Sequence, residues 1–336
     1  MIIFTQNSGT MKDYGVWKTL LSIIVPCYNC ADYIEECLTS VLAYLPDNCE
    51  LIIINDGSTD NSLNKIEKIC QKHTKKQIKL LNQDNRGVSI ARNAGINVCR
   101  GKYLTFLDAD DYYQPAFWQV FPAILTNSDY DIFEFNASQR DKNGKQETLL
   151  KIVSFQHATV FRHLAERLPA FQNAQWFPWG RVYRTELFIR NDIRFPENCH
   201  YEDMYAIPQF YLFADSVCPV NETLIHYRTN DSSISQTFRK KDISDLIFIL
   251  EKYKQIAKIK NNTKDIKMLL YPAVKRVFDL MKNLMIKNSF FNIAYLEKIR
   301  LQSALFYFST EFPLRKKVTI YLLPLYFKLI LSLRKK

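Results

Sequence analysis

From Leu21 to Asp111 short apolar runs alternate with amphipathic stretches. "LSIIVP" at 21–26 is β-branched and closed by proline, and it predicts a first strand. Behind it Ile34, Leu38, Val41, Leu42 and Leu45 recur at helical spacing, as on a helix with one buried face. "ELIIIN" at 50–55, "QIKLLN" at 77–82 and "KYLTFL" at 102–107 predict three more strands. Ser58, Thr59 and Asp60 offer caps for a helix through Cys70, and a further helix covers roughly Val88–Val98. Runs this apolar fit strands covered on both faces, as in a parallel sheet. The expected fold is α/β: a three-layer αβα sandwich around a mostly parallel central sheet.

After Pro115 the pattern is mixed and aromatic, with "FQNAQWFPWGRVYRTELF" at 171–188 and "FPENCHYEDMYAIPQFYLFAD" at 195–215. "NDSSISQTFRKKD" at 230–242 reads as a linker, and from Asp242 onward the chain reads as long helices. The expected organisation is a leader over 1–20, an α/β domain over 21–235 with halves at 21–125 and 126–235, and a helical extension over 236–336. There is no internal repeat.

Charge divides the chain at the same place. Of 45 Lys+Arg and 34 Asp+Glu, the segment 236–336 holds 22 and 7. The net charge of +11 therefore belongs wholly to the C-terminal region, and the rest is slightly acidic. Such a region suits a polyanionic surface, or solvated helix faces with no partner. "RKKVTIYLLPLYFKLILSLRKK" at 315–336 has basic clusters at both ends and the composition of an interfacial segment. Its most apolar stretch, Val318 to Leu333, is broken by Pro324 and Lys328 and is too short to span a bilayer. The N-terminus lacks the basic and apolar regions of a signal peptide.

Several chemistries are excluded. No three of the 8 glycines fit G-x-G-x-x-G, neither Gly-Lys pair completes a Walker A loop, and the 5 histidines form no H-E-x-x-H. Cys27 and Cys30 form a C-x-x-C with no second ligand pair at zinc spacing, which reads as reduced thiols of a cytosolic protein.

What remains sits at the carboxyl ends of the predicted strands, where such folds bind ligands. The first strand ends in "PCYN", the second in "NDGSTD" and the fourth in "LDADDYY". Asp108, Asp110 and Asp111 crowd into four residues, and like charges at that range call for protons or a cation. Mg2+ or Mn2+ on one or two of these carboxylates would bind a diphosphate and neutralise it as it leaves. Acidic turns also follow strands for purely structural reasons. Asp56 suits the imide of a uracil ring and Tyr28 suits its face. Arg86 and Arg92 in "DNRGVSIARNAG" would serve phosphate or brace the aspartates. Asp203 stands at a helix start, as a cap or first-turn acid or as a general base.

These blocks, "LSIIVPCYNCADYIEECLTSVL", "ELIIINDGSTDNS", "NRGVSIARNAGINVCRGKYLTFLDADD" and "YEDMYA", occur in an order and spacing that resemble family 2 glycosyltransferases of the GT-A fold, the type that builds bacterial capsule, exopolysaccharide or lipopolysaccharide. The resemblance is dense over 20–125 and looser over 175–230. It implies an inverting transfer from a UDP-sugar to a hydroxyl of a glycan or lipid-linked glycan. Asp203 would then be the base, supported by Glu202. Asp108 and Asp110 would be the D-x-D pair, with Asp110 on the metal and Asp108 nearer the ribose. Asp56 would bind uracil, beside Tyr28. Pro26, Asn29, Arg86, Arg92 and Ala109 would complete the nucleotide-sugar site. Asn55 replaces the first acid of the family's "DDGS". Trp176 and Trp179 offer an acceptor platform, or core packing. The implied location is the cytoplasmic face of the inner membrane, touched through 236–336. A nucleic-acid-binding protein, a non-catalytic scaffold and a nucleotidyltransferase are the rivals. The first leaves the acids unused, and the last lacks a glycine-rich loop in "PCYNCADY".

Overall fold

The computed structural model describes residues 17–140, 147–229, 238–259, 264–288 and 295. Strand–helix repeats open the chain. β1 (Thr19–Cys27) leads through α1 (Ile34–Leu42) to β2 (Cys49–Asp56), and α2 (Ser62–Lys72) returns the chain to β3 (Ile78–Gln83). Then α3 (Val88–Val98) carries it back across the sheet to β4 (Gly101–Phe106), on the far side of β1. All four strands are parallel. The alternation of side chains explains why the strand runs are apolar throughout. Ile23 and Val25 of β1 pack in one core with α1, while Ile24 joins Ala91 and Ile96 of α3 in the other.

The second half makes the sheet mixed. β5 (Tyr112–Tyr113), α4 (Pro115–Asn127), β6 (Ile132–Arg140), β7 (Glu147–Leu150) and β8 (Thr159–Val160) follow in the chain. After α5 (Leu168–Asn173) comes β9 (Arg181–Arg184), antiparallel to both β4 and β6. Then α6 (Thr185–Arg190) and α7 (Glu202–Phe213) precede β10 (Ser216–Arg228), which is parallel to β6. The strand order is β3-β2-β1-β4-β9-β6-β10-β5. The chain reverses direction across the sheet at β1, so the ends of β1, β2 and β4 open onto one crevice. Beneath the mixed part Arg181 donates to the Tyr211 hydroxyl, which donates to Glu134, all of them buried.

The helical extension is present over α8 (Lys240–Ile259) and α9 (Lys264–Lys287). Ile243, Leu246, Leu250, Leu270, Val274 and Met281 lie in the same core cluster as Ile207 and Phe210 of α7. These helices thus bury their apolar faces against the second half of the α/β domain, and the lysines stay outside. The 230–242 stretch, expected to be a linker throughout, already enters α8 at Lys240. The segment 315–336 and most of the leader 1–20 lie outside the described residues. Among the described residues no helix is long and apolar enough to cross a membrane.

Candidate active site

A cleft of about 690 Å3 opens between the loop that follows β3, the carboxyl end of β4 and the start of α7. Asn85, Arg86, Asp108, Glu202 and Asp203 line it, together with Arg239, Lys241 and Asp242 from the approach to α8.

One side of the crevice is built on two turns. Asp56, at the end of β2, accepts from Gln83 Nε2 (2.7 Å), from the Arg86 amide (2.9 Å) and from the Gly87 amide (2.8 Å). It is 3% exposed and organises the 84–87 loop, leaving a lone pair of its carboxylate for a ligand. Gly57 takes a φ of 68°, and a Cβ there would meet the Asn85 amide at 2.6 Å, so only glycine fits this turn. Asn29, at a φ of 51°, accepts from the Thr59 amide at 2.8 Å and the Asp60 amide at 3.3 Å. That fastens the end of β1 to the end of β2. Tyr28, between them, is exposed with its ring available to stack. Pro26 stays in β1 opposite Ile54, and Ala109 is buried.

The acidic turn after β4 carries Asp108, Asp110 and Asp111. Asp111 is 1% exposed; one oxygen accepts the Arg228 amide at 2.9 Å and the other, Oδ2, is buried without a partner. Burial, then the charges of Asp110 and Asp108, push its pKa well up. A local excess of negative charge with an orphaned carboxylate oxygen fits a divalent cation held by Asp110 and Asp108. Among the described residues no three His, Cys, Asp or Glu side chains are grouped to hold a metal by themselves. Such a site needs oxygens from a bound diphosphate to be complete.

The other side begins at Tyr201, whose φ of 61° is uncommon for a bulky residue and turns the chain sharply into α7. Glu202 and Asp203 are the first residues of that helix. Asp203 is therefore a first-turn acid and not a cap; its carboxylate accepts the Met204 amide at 2.7 Å. Burial, with the Glu202 charge adding to it, raises its pKa to about 7 against the opposing pull of that hydrogen bond and of Arg92 and Arg276. Arg92, 4% exposed on α3, donates to Asp108 at 2.9 Å and to Glu202 at 2.6 Å. Burial opposes its charge, but Asp108 and Glu202 outweigh that and hold the guanidinium protonated more firmly than in water. Its two duties in the sequence were phosphate or bracing; the geometry here is bracing.

Arg86 is exposed on the rim. Trp176 and Trp179 are not available as an acceptor platform, being 3% and 2% exposed. Trp176 packs on Phe171 and Tyr211, and Trp179 stacks between Phe177 and Tyr227, so both rings serve the core. Their apolar area wins over any surface role.

The sequence did not single out His200, Arg239, Lys241 or Asp242. His200 Nδ1 lies 2.9 Å from Asp242 and its amide donates to Asp245 at 3.0 Å. Lys241 reaches back to the Asn198 carbonyl and pairs with Asp245 at 2.9 Å. The start of α8 thus buttresses the turn that presents Glu202 and Asp203. The signal was the single histidine preceding "YED", beside a charge run that reads as solvated linker.

Known proteins share this chain's sequence pattern and fold. Escherichia coli (strain K12) glycosyltransferase YibD is 28% identical over 257 residues, 75% of this chain and 74% of that protein. The fold is shared with Staphylococcus aureus TarS, solved with UDP-GlcNAc, at a TM-score of 0.66 and 20% identity over 86% of this chain and 84% of that one. It is shared too with the mannosyltransferase PcManGT of Pyrobaculum calidifontis, solved with GDP-Man and Mn2+, at a TM-score of 0.52 and 13% identity over 95% of this chain and 87% of that one. Residues 22–190 match the profile of Glycosyl transferase family 2, and the chain belongs to that family.

Proposed function

We propose that this glycosyltransferase moves a hexose from a UDP-sugar to a hydroxyl of a glycan or lipid-linked glycan with inversion, in the assembly of a bacterial surface polysaccharide. The observation that carries the reading is Asp203. It lines the same cleft as Asp108 and Arg86, and its pKa near 7 suits a general base at neutral pH. TarS, with UDP-GlcNAc in its structure, supports a uridine donor.

In this reading Tyr28 stacks on the base and Asp56 accepts from its imide. Asp110 and Asp108 would hold Mn2+ or Mg2+, which supplies charge neutralisation to the departing diphosphate. Asp203 takes the proton of the acceptor hydroxyl, whose oxygen forms the new bond to the anomeric carbon as the bond to the diphosphate breaks. Attack from the face opposite the diphosphate turns an α-linked donor into a β-glycoside. Glu202, tied down by Arg92, stands beside Asp203 and keeps its proton affinity high. The basic region 236–336 would place the cleft beside the cytoplasmic face of the inner membrane, through residues beyond those packed on the core.

Calorimetry of UDP with and without Mn2+, followed by transfer from UDP-sugars with Asp203→Asn as control, tests this. Metal-dependent UDP binding with transfer lost in the variant is expected. Near-normal turnover of Asp203→Asn overturns the base assignment, and absence of UDP binding overturns the donor.

A further inference from the structure

Beyond the cleft lies a second cavity of about 460 Å3, between the end of α5 and one face of α9. Gln172 and Ala174 form one wall, and Pro272, Lys275, Arg276, Asp279, Leu280 and Asn283 form the other. Met204, the residue after Asp203, belongs to its lining, so the first turn of α7 borders both cavities.

The lining has the chemistry of a sugar subsite with one anion anchor. Gln172 and Asn283 bring carboxamides that both donate and accept, as sugar hydroxyls require. Pro272, Leu280 and Met204 bring apolar surface for sugar C–H groups. Lys275 is spent, since it pairs with Asp279. Arg276 is not: it is exposed, and its guanidinium makes no ion pair or hydrogen bond among the described residues. A guanidinium left open on the wall of a polar cavity suits a phosphate or carboxylate, which it can grip with two parallel hydrogen bonds.

We propose that this cavity is the acceptor subsite and that Arg276 selects an acceptor carrying negative charge, as a phosphate or a carboxylate, next to the hydroxyl that is glycosylated. The proposal rests on the reading of Asp203 as the base. It replaces the aromatic platform with a cationic one. It also couples binding to chemistry: the Arg276 charge weakens Asp203 as a base, and an anion seated on Arg276 cancels that effect. The base is then strongest when the acceptor is in place.

The test uses the full chain saturated with UDP, which fills the first cleft, and three probes: octyl phosphate, octyl β-glucuronide and neutral octyl β-glucoside. Calorimetry is expected to find one site for an anionic probe. The affinity should fall by about tenfold or more in Arg276→Glu and by much less in Arg276→Lys. The neutral probe should bind far more weakly. Equal binding of the neutral probe, an unaffected Arg276→Glu, or no binding of either anionic probe overturns the proposal. Because Arg276 is exposed, thermal unfolding of the variant should match the parent. Loss of UDP binding with retained probe binding would instead overturn the nucleotide reading alone.

Discussion

Asp108 and Glu202 come from opposite halves of the chain and hang from the same guanidinium, that of Arg92, at 2.9 and 2.6 Å. Each carboxylate is thereby positioned by the other's partner. The acidic turn that would meet the diphosphate cannot shift without pulling on the helix start that presents Asp203.

Arg92→Ala should therefore damage both functions together. It leaves two partly buried carboxylates with no counter-charge, which costs on the order of 3 kcal/mol of stability. Chemical denaturation should read that loss, and UDP affinity and turnover should both fall. Arg92→Lys cannot span two acids with a planar fork, so it should recover stability better than turnover. A variant that loses turnover alone would break the link.

Transfer should depend on Asp203 losing its proton. The rate should climb through about pH 7 and level off above it. The sign for stability is opposite. The folded pKa lies above the ordinary 3.8, so the folded state holds the proton more tightly, and stability falls as pH rises between those values. Asp203→Asn should remove that decline, and thermal unfolding at pH 5 and pH 8 would read it. A parallel pH slope in parent and variant would contradict the assignment.

Asp110→Ala removes one of the charges that push up Asp111. The variant should unfold no earlier than the parent, while the Mn2+-dependent part of UDP affinity disappears. Calorimetry with and without Mn2+ measures the second, and unchanged metal dependence would clear Asp110 of that role.

At Gly57 the left-handed backbone and the 2.6 Å approach to Asn85 leave no room for a methyl group. Gly57→Ala should cost about 1–3 kcal/mol and loosen the loop that Asp56 organises. UDP affinity should drop more than stability does, since the distortion lies inside the site. Normal affinity would mean the loop does not touch the nucleotide.

Why some of this was readable in advance, and some not, follows from range. The four parallel strands are announced by local apolar runs, and Asp56, Asp108 and Asp110 stand at their ends, where a single residue of context suffices. Asp203 and Glu202 were readable as a motif. The clasp was not, because Arg92 and Glu202 are 110 residues apart and nothing local in either segment names the other. Trp176 and Trp179 failed for the converse reason: an aromatic residue looks the same on a surface and in a core until its neighbours are placed. Arg239 to Asp242 were read as solvated linker because charge density is all that such a run displays. Its partner, His200, stands far upstream in the chain.

The pairing of His200 with Asp242 and Asp245 has a consequence for the order in which the protein comes into being. Among the described residues every strand of the sheet is complete at Arg228, and so are the turns that hold Asn29 and Asp56. The turn before α7 lacks its buttress until synthesis passes Asp245. A growing chain therefore acquires the sheet and the turns around Asp56 before the turn that presents Glu202 and Asp203 is braced.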